Sequence, residues 1–470
     1  MFKPNGMPAK NICPVILLNI WAHHLNKENN QQLNQRMIFA GLGKPSYLLN
    51  EDLASAALQY WQDLIQAVSK VKPSLTNKNL TPQQICEEII NTPTAIDYEL
   101  PSGCQQASDL MSQALTKWYG ISIETKDFLF TVGGLSALKM IFQVINEKNK
   151  GRIITPLPYY PFYNDPVHGN HLHFIDVINE PGYRLTAEGL RHSLQNAISL
   201  AANDGQNVSA FLFCDPNNPV GTVVGREEWK KIAEVLKNTS DDIPIILDEA
   251  YAELIFDYEH YSLLKVAPEL KNRLIIIRSG TKGFSSSGER MGVVVCFNEE
   301  WREELLDKIS KSYVHSPKSL QVSYAKAMFE FTKEKMKDLS NHYQIQTKFV
   351  QNQLKKIKAE LPDPAYCIEG TFYVLANLRD LFRTKIPAEA VRALGKEGSI
   401  STDVEICYSL LFRDQVMVCP LSYFGADPTL GFVRITCSGG FELLQELLDR
   451  IEHRLIQARN NKVHEKSEID

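Results

Sequence analysis

No two cysteines stand at CxxC spacing, and the nine present (Cys13, Cys86, Cys104, Cys214, Cys296, Cys367, Cys407, Cys419 and Cys437) are scattered and odd in number. A zinc ribbon and a disulfide framework are thereby excluded, no metal site is expected, and a reducing, cytoplasmic compartment is predicted. Long apolar runs are missing as well: none reaches the roughly 18 to 20 residues that span a bilayer. The nearest, Ile12 to Ala22, is broken by Asn19 and followed by no small-residue cleavage site, so it reads as a packed N-terminal arm. Nor is there an excess of one charge, since Lys+Arg 50 against Asp+Glu 55 leaves −5. That balance favours no nucleic-acid partner. Glycine (25) and proline (23) are too few for a collagen-like or low-complexity chain.

What the chain has is length and an ordinary globular balance, with 44% apolar and 22% charged residues. At roughly 150 residues per domain, it predicts two or three domains, each able to bury its own core. Between Tyr98 and Arg290, strand-like runs alternate with amphipathic stretches, the pattern of a mostly parallel sheet wrapped by helices. The strands are expected at Phe128 to Val132, Arg152 to Thr155, Val208 to Phe213, Ile243 to Leu247 and Leu274 to Ile277. The helices are expected at Ala107 to Tyr119, Ser136 to Ile145, Arg226 to Leu236 and Trp301 to Lys311. From about Ala325 the character changes: one long helical pattern through Lys358 precedes short strands around Phe372 to Leu375, Val416 to Cys419 and Phe432 to Thr436. Asp52 to Val68 reads as an amphipathic helix, Lys70 to Thr81 as a polar loop and Arg459 to Asp470 as a frayed tail. The expected division is 1–69 as an N-terminal arm with part of a small domain, 70–325 as a large domain and 326–470 as a C-terminal small domain.

Chemically interesting residues fall just after strands, where ligands sit in open α/β sheets. In IIIRSGTKGFSSSGERMG, Ile275 to Gly292, a β-rich run ends and Ser279, Thr281, Lys282, Gly288, Arg290 and Gly292 follow. A lysine buried at a strand end loses basicity and can act as an amine nucleophile, and Arg290 has the planar fork that suits phosphate. Taken alone, a lysine and an arginine eight residues apart are more often surface charges. In IPIILDEAYAEL, Asp248 can pair with a protonated ring nitrogen and Tyr251 can donate to a ring oxygen; the alternative is a helix N-cap and a core tyrosine. FLFCDPNNPVGT ends in Asn218, Pro219 and Gly221, a rigid turn that aims an amide. In FTVGGLSALKMIF, Gly133 and Gly134 open a helix whose free N–H groups suit a phosphate, although tight turns use glycine pairs too. TPLPYYPFY places Tyr160 where its ring either stacks on a flat cofactor or fills the core.

The order and separation of these segments resemble the class I/II aminotransferases of the aspartate aminotransferase superfamily, the fold-type I enzymes that use pyridoxal phosphate. The likeness runs from about Phe39 to Arg434, and its most specific element, SxxKxFxxxGxRxG, is filled by Ser279, Lys282, Phe284, Gly288, Arg290 and Gly292. It implies an α/β fold: a large domain with a mostly parallel seven-stranded sheet flanked by helices, plus a smaller α+β domain. It implies pyridoxal 5'-phosphate as cofactor, joined to Lys282 as a Schiff base, with Lys282 later shuttling the proton. Arg290, Ser279, Gly134 and the Leu135 amide are implied to hold the phosphate, Asp248 to keep the pyridine nitrogen protonated, Tyr251 and Asn218 to bond the ring oxygen, and Tyr160 to stack on the ring. Tyr98 in YELPSG is similar to the tyrosine that reaches the neighbouring subunit's phosphate, which implies a homodimer with shared sites. Arg434 in GFVRIT is implied to bind the substrate carboxylate, and Gly43 in GLGKPSY and Asn218 to lie against the substrate. The reaction implied is reversible transfer of an amino group between an L-amino acid and a 2-oxo acid through pyridoxamine phosphate, with 2-oxoglutarate expected as one partner.

The chain departs from the family pattern in places. Leu135 stands where many relatives have a hydroxyl, so that phosphate contact is expected to be missing or supplied by Ser136. Lys44 and Ser46 replace the usual acidic residues, and Val220 replaces the threonine of NPTG. Between Gly43 and Tyr98 lie about two dozen more residues than in common relatives, and this insert, around Asp63 to Thr92, is expected to cover the mouth of the site or to extend the dimer contact. Lyases and cyclopropane-forming synthases of the same fold use the same cofactor residues. Ser279 and Lys282 also spell the SxxK of serine acyl-transferases, but no KTG accompanies them. A non-catalytic cofactor-binding regulator would need a nucleic-acid-binding module, for which the residues before Gly43 are too few and not basic.

Overall fold

The computed structural model describes residues 1–10, 12–29, 36–71, 81, 83–84, 98–164, 171–257 and 259–467. In chain order its strands are β1 (Ile38–Phe39), β2 (Phe128–Thr131), β3 (Arg152–Leu157), β4 (His171–Asp176), β5 (Val208–Cys214), β6 (Ile245–Asp248), β7 (Leu274–Ser279), β8 (Gly292–Cys296), β9 (Tyr373–Asn377), β10 (Val416–Met417), β11 (Cys419–Pro420) and β12 (Phe432–Thr436). Seven of them form one sheet in the order β2-β8-β7-β6-β5-β3-β4. Neighbours pair in parallel except at β8, which runs antiparallel to both β2 and β7. Its central strands are apolar on both faces, as Ile245, Ile246 and Leu247 or Leu274 to Ile277 show, because helices cover the sheet on either side.

All five expected strands of the sheet are present; β4 and β8 escape the apolar-run criterion for different reasons. β4 is an edge strand, and its polar residues His171, His173 and Asp176 interrupt the run. β8, Gly292–Cys296, is apolar but begins just beyond Arg290, where the span read for alternation ends. The expected single helix through Lys358 is two, Lys318–Phe329 and Lys333–Lys356, because Thr332 caps the second by accepting from the Lys335 amide. The first of these spans the expected boundary at 325/326. The expected strand Val416 to Cys419 also divides: β10 pairs in parallel with β1, while β11 pairs antiparallel with β12, which pairs with β9. The expected frayed tail is helical as far as Ser467, within the helix Phe441–Ser467, and its last three residues lie outside the described residues.

The N-terminal arm is the helix Pro14–Asn29, which buries Leu17, Leu18, Trp21 and Ala22. Trp21 Nε1 donates to the Phe2 carbonyl at 2.7 Å. The amphipathic helix expected from Asp52 spans Glu51–Val71 and packs on Lys318–Phe329, which in turn packs on Gln105–Tyr119. It therefore takes the start of the expected polar loop, and most of that loop and of the insert after Val71 lies outside the described residues, as does Cys86. The other eight cysteines are free. Among the described residues no helix is long and apolar enough to cross a membrane.

Candidate active site

The candidate residues gather at the carboxyl ends of parallel strands. Asp248 is the last residue of β6, Ser279 is the last of β7, Asn218 follows β5 and Gly133 follows β2. Period-two alternation decides what each residue of β7 faces. Ile277 and Ser279 face the start of the helix Gly133–Lys148, where a Cβ on Gly134 would lie 3.4 Å from Ile277 Cγ2 and 3.7 Å from Ser279 Cβ. Arg278 goes the other way, fully buried, paired with Glu253 and stacked 4.3 Å over the Trp118 ring.

Lys282 lies in the one-turn helix Gly280–Gly283, which Ser279 caps by accepting from the Thr281 amide at 3.2 Å. Its ammonium donates to the carbonyl of Gly43. Burial, with Arg434 and Arg290 adding positive charge, lowers the lysine pKa to about 7. The approach depends on Gly43: a Cβ there would sit 2.1 Å from Tyr373 Oη and 3.3 Å from Lys282 Nζ.

Asp248 is buried, and its Oδ2 accepts from Tyr163 Oη at 2.6 Å while Oδ1 accepts from the Ala250 amide at 3.3 Å. Burial raises its pKa, chiefly by removing water from the charged form. Among the described residues no cation pairs with it. Tyr160 sets its ring edge-on to Tyr163 at 5.6 Å.

The helix Gly133–Lys148 starts without a side-chain cap, since Val132 offers no acceptor, and the first-turn N–H groups are open to an anion. Gly133 has φ +76°, and a Cβ there would lie 2.8 Å from Arg290 Nη2, so the guanidinium rests against glycine backbone. Arg290 itself has φ 55° and donates from Nη1 to the Ser287 carbonyl at 2.9 Å. Ser279 Oγ and Thr281 Oγ1 are 2.6 Å apart, which puts a second hydroxyl beside the expected one. Ser136, next to Leu135, donates from Oγ to Tyr313 Oη at 3.4 Å.

Arg434 is buried on β12, where Nη1 donates to Asn218 Oδ1 at 2.8 Å and Nη2 to the Gly41 carbonyl at 2.7 Å. Among the described residues its Nε has no partner, and its guanidinium lies 4.1 Å over the Tyr373 ring and 4.6 Å over that of Phe424. Tyr251 Oη is 2.7 Å from Tyr373 Oη. Tyr373 and Phe424 are thus site residues that the motifs miss; the only signal for Tyr373 is an aromatic on the strand paired with the one that carries Arg434. Tyr98 stands apart from this cluster, 81% exposed, with its ring edge-on to His315 at 6.1 Å. The serine–lysine hydrogen bond of an SxxK acyl-transferase does not form: Ser279 Oγ donates to the Met291 carbonyl at 3.2 Å and Lys282 to Gly43.

Residues 77–451 match the family model for aminotransferase class I and II. An aspartate aminotransferase of Bacillus sp. strain YM-2 is 26% identical over 381 residues, covering 79% of this chain and 88% of that one. Among solved structures, the aspartate aminotransferase of Rhizobium meliloti superposes with a TM-score of 0.73 at 20% identity, over 97% of this chain and 99% of that one. The aromatic aminotransferase of Pyrococcus horikoshii OT3 does so with 0.69 at 20% identity, over 92% and 99%. The chain belongs to the aminotransferase class I and II family. It has the fold-type I architecture and is an enzyme, an aminotransferase that depends on pyridoxal phosphate.

Proposed function

We propose that this enzyme moves an amino group between an L-amino acid and a 2-oxo acid, with Lys282 as the residue that attaches the cofactor and carries the substrate proton. The cofactor, when bound, supplies an electron sink for the negative charge that develops at the substrate Cα. The residues present fit it. Asp248, buried without a counter-cation, would hold the protonated ring nitrogen, with Tyr163 fixing the carboxylate. The open helix start at Gly134 and Leu135, with Ser279 and Arg290, would hold the phosphate. Tyr160 would lie against the ring, and Asn218 and Tyr251 would hydrogen-bond its oxygen.

The single observation that carries this reading is the placement of the Lys282 amine, which is held on the Gly43 carbonyl and depressed to a pKa of about 7. An amine near neutrality takes and returns a proton at physiological pH. Arg434 would receive the substrate carboxylate on its unpartnered Nε edge, with Asn218 and the Tyr373 ring fixing the guanidinium plane. Gly43, which lets Lys282 approach, would lie against the substrate. Tyr98, exposed on its own chain, would reach the site of a second copy, giving a homodimer with shared sites in the cytoplasm.

A half-reaction tests the assignment. One L-amino acid, added without any oxo acid, is expected to convert one equivalent of enzyme-bound cofactor from its aldehyde to its amine form, and Lys282→Ala is expected to abolish that conversion. Conversion that survives in Lys282→Ala would refute the role of Lys282, and steady release of ammonia from the wild type would identify a lyase instead.

A further inference from the structure

A cleft remote in sequence from the residues above opens between the segment 381–385, Gly398 and Ser399, the end of the helix Asp403–Asp414 and the helix Phe441–Ser467. Its volume is about 520 Å³, within the range of small-molecule pockets. Arg383, Lys385, Arg413 and Arg454 line it, and among the described residues no acidic side chain does. Asp414 accepts from Arg454 Nε at 2.6 Å and counters one of the four charges. The side chains of Arg383, Lys385 and Arg413 make no hydrogen bond or ion pair among the described residues. Asp414 also feels the charge of Arg413, so four cations meet one carboxylate at this concavity and leave an excess of three positive charges, in a protein whose net charge is −5. Like charges gathered this way repel, and on a convex surface they would spread apart.

The backbone under these cations is fixed. Arg383 adopts φ 73°, a left-handed conformation that costs a non-glycine residue energy, and neighbouring bonds hold it there. Its amide donates to the Ile400 carbonyl at 2.8 Å, the Ile400 amide to Thr384 at 2.8 Å, and the Ile386 amide to Gly398 at 2.9 Å. Arg454 is held from two sides, by Asp414 and by Gln457 Oε1 at 2.7 Å. Ser399 and Asn461 add uncharged polar groups to the wall.

We propose that this cleft is a second anion site, separate from the cofactor site, for a small phosphorylated molecule carrying at least two negative charges. Guanidinium forks match phosphate oxygens two at a time, and a di- or triphosphate would offset the excess of three positive charges. Pyrophosphate serves as the probe, titrated calorimetrically into enzyme saturated with pyridoxal phosphate, so that the cofactor's own phosphate site is filled. The expected result is one saturable site per chain, weakened by added salt. The double variant R383A/R413A, which removes two exposed side chains, is expected to weaken binding about tenfold or more. Turnover without pyrophosphate is expected to stay at the wild-type level in that variant. Non-saturating binding, equal affinity in the double variant, or binding that appears only after the cofactor is stripped would each overturn the proposal.

Discussion

At the level of single residues, the proposed chemistry rests on an amine whose hold on its proton is weakened by burial. Lys282, at about 7 against an ordinary 10.5, loses its proton in the neutral range. The rate at which cofactor-free protein takes up pyridoxal phosphate, followed by absorbance, should therefore rise through pH 7 and level off above it; a midpoint near the ordinary lysine value would show a solvated amine. The sign for stability follows from the same shift. The folded pKa lies below the unfolded one, so between the two the unfolded chain binds the extra proton, and the burdened fold recovers stability as pH rises from about 7 toward 10.5. Tyr373 separates two effects that one residue produces. Tyr373→Phe keeps the ring under Arg434 but removes the bond to Tyr251, and a loss of about 1 kcal/mol would lower kcat roughly fivefold. Tyr373→Leu removes the ring as well and is expected to raise KM for the amino acid. Steady-state kinetics on both variants reads the split, and identical effects from the two would contradict it.

At the level of elements, the readable parts are those where local pattern and final environment agree. The apolar runs of β5, β6 and β7 announce strands buried on both faces, and the residues just beyond them are the ones that meet at the site. Glycine pairs and the SxxK segment are visible because backbone approach and helix starts constrain residue type. Tyr373, Phe424 and Tyr163 are not visible, because an aromatic on a buried strand or turn looks the same whether it packs or positions a partner. Arg278 is hidden for the opposite reason: a charge inside β7 reads as an edge or loop signal, yet Glu253 and the Trp118 ring enclose it. Removing one member of such a buried pair strands the other, so Glu253→Gln should destabilise the fold by about 3–5 kcal/mol in urea unfolding. A cap tests a more local term. Thr402 and Glu405 form a reciprocal capping box at the start of the helix Asp403–Asp414, and Thr402→Ala should cost about 1 kcal/mol by the same assay while turnover at saturating cofactor is retained.

For the whole molecule, the sheet edge and the elements after Lys318 supply complementary halves of one site. Lys282, Asp248 and Asn218 stand at or just beyond the carboxyl ends of strands of the large sheet, while Arg434 and Tyr373 arrive on the three-stranded sheet β11-β12-β9, and the Arg434–Asn218 bond joins the two. Alternation of strands and helices foretells the first half, whereas the second needs pairings between β9, β11 and β12 that are far apart in the chain. If Tyr98 completes a second copy's site, cofactor affinity must depend on protein concentration: dilution that dissociates the dimer, measured by sedimentation equilibrium, should weaken pyridoxal phosphate binding in parallel. A monomer that keeps full affinity would assign the whole site to one chain.

The central claim is that one amine, at position 282, carries the cofactor. Borohydride reduction of the enzyme with bound pyridoxal phosphate, followed by digestion and mass spectrometry, tests it most directly. A single labelled peptide is expected, with the pyridoxyl group on Lys282; a label on any other lysine, or none at all, would overturn the assignment.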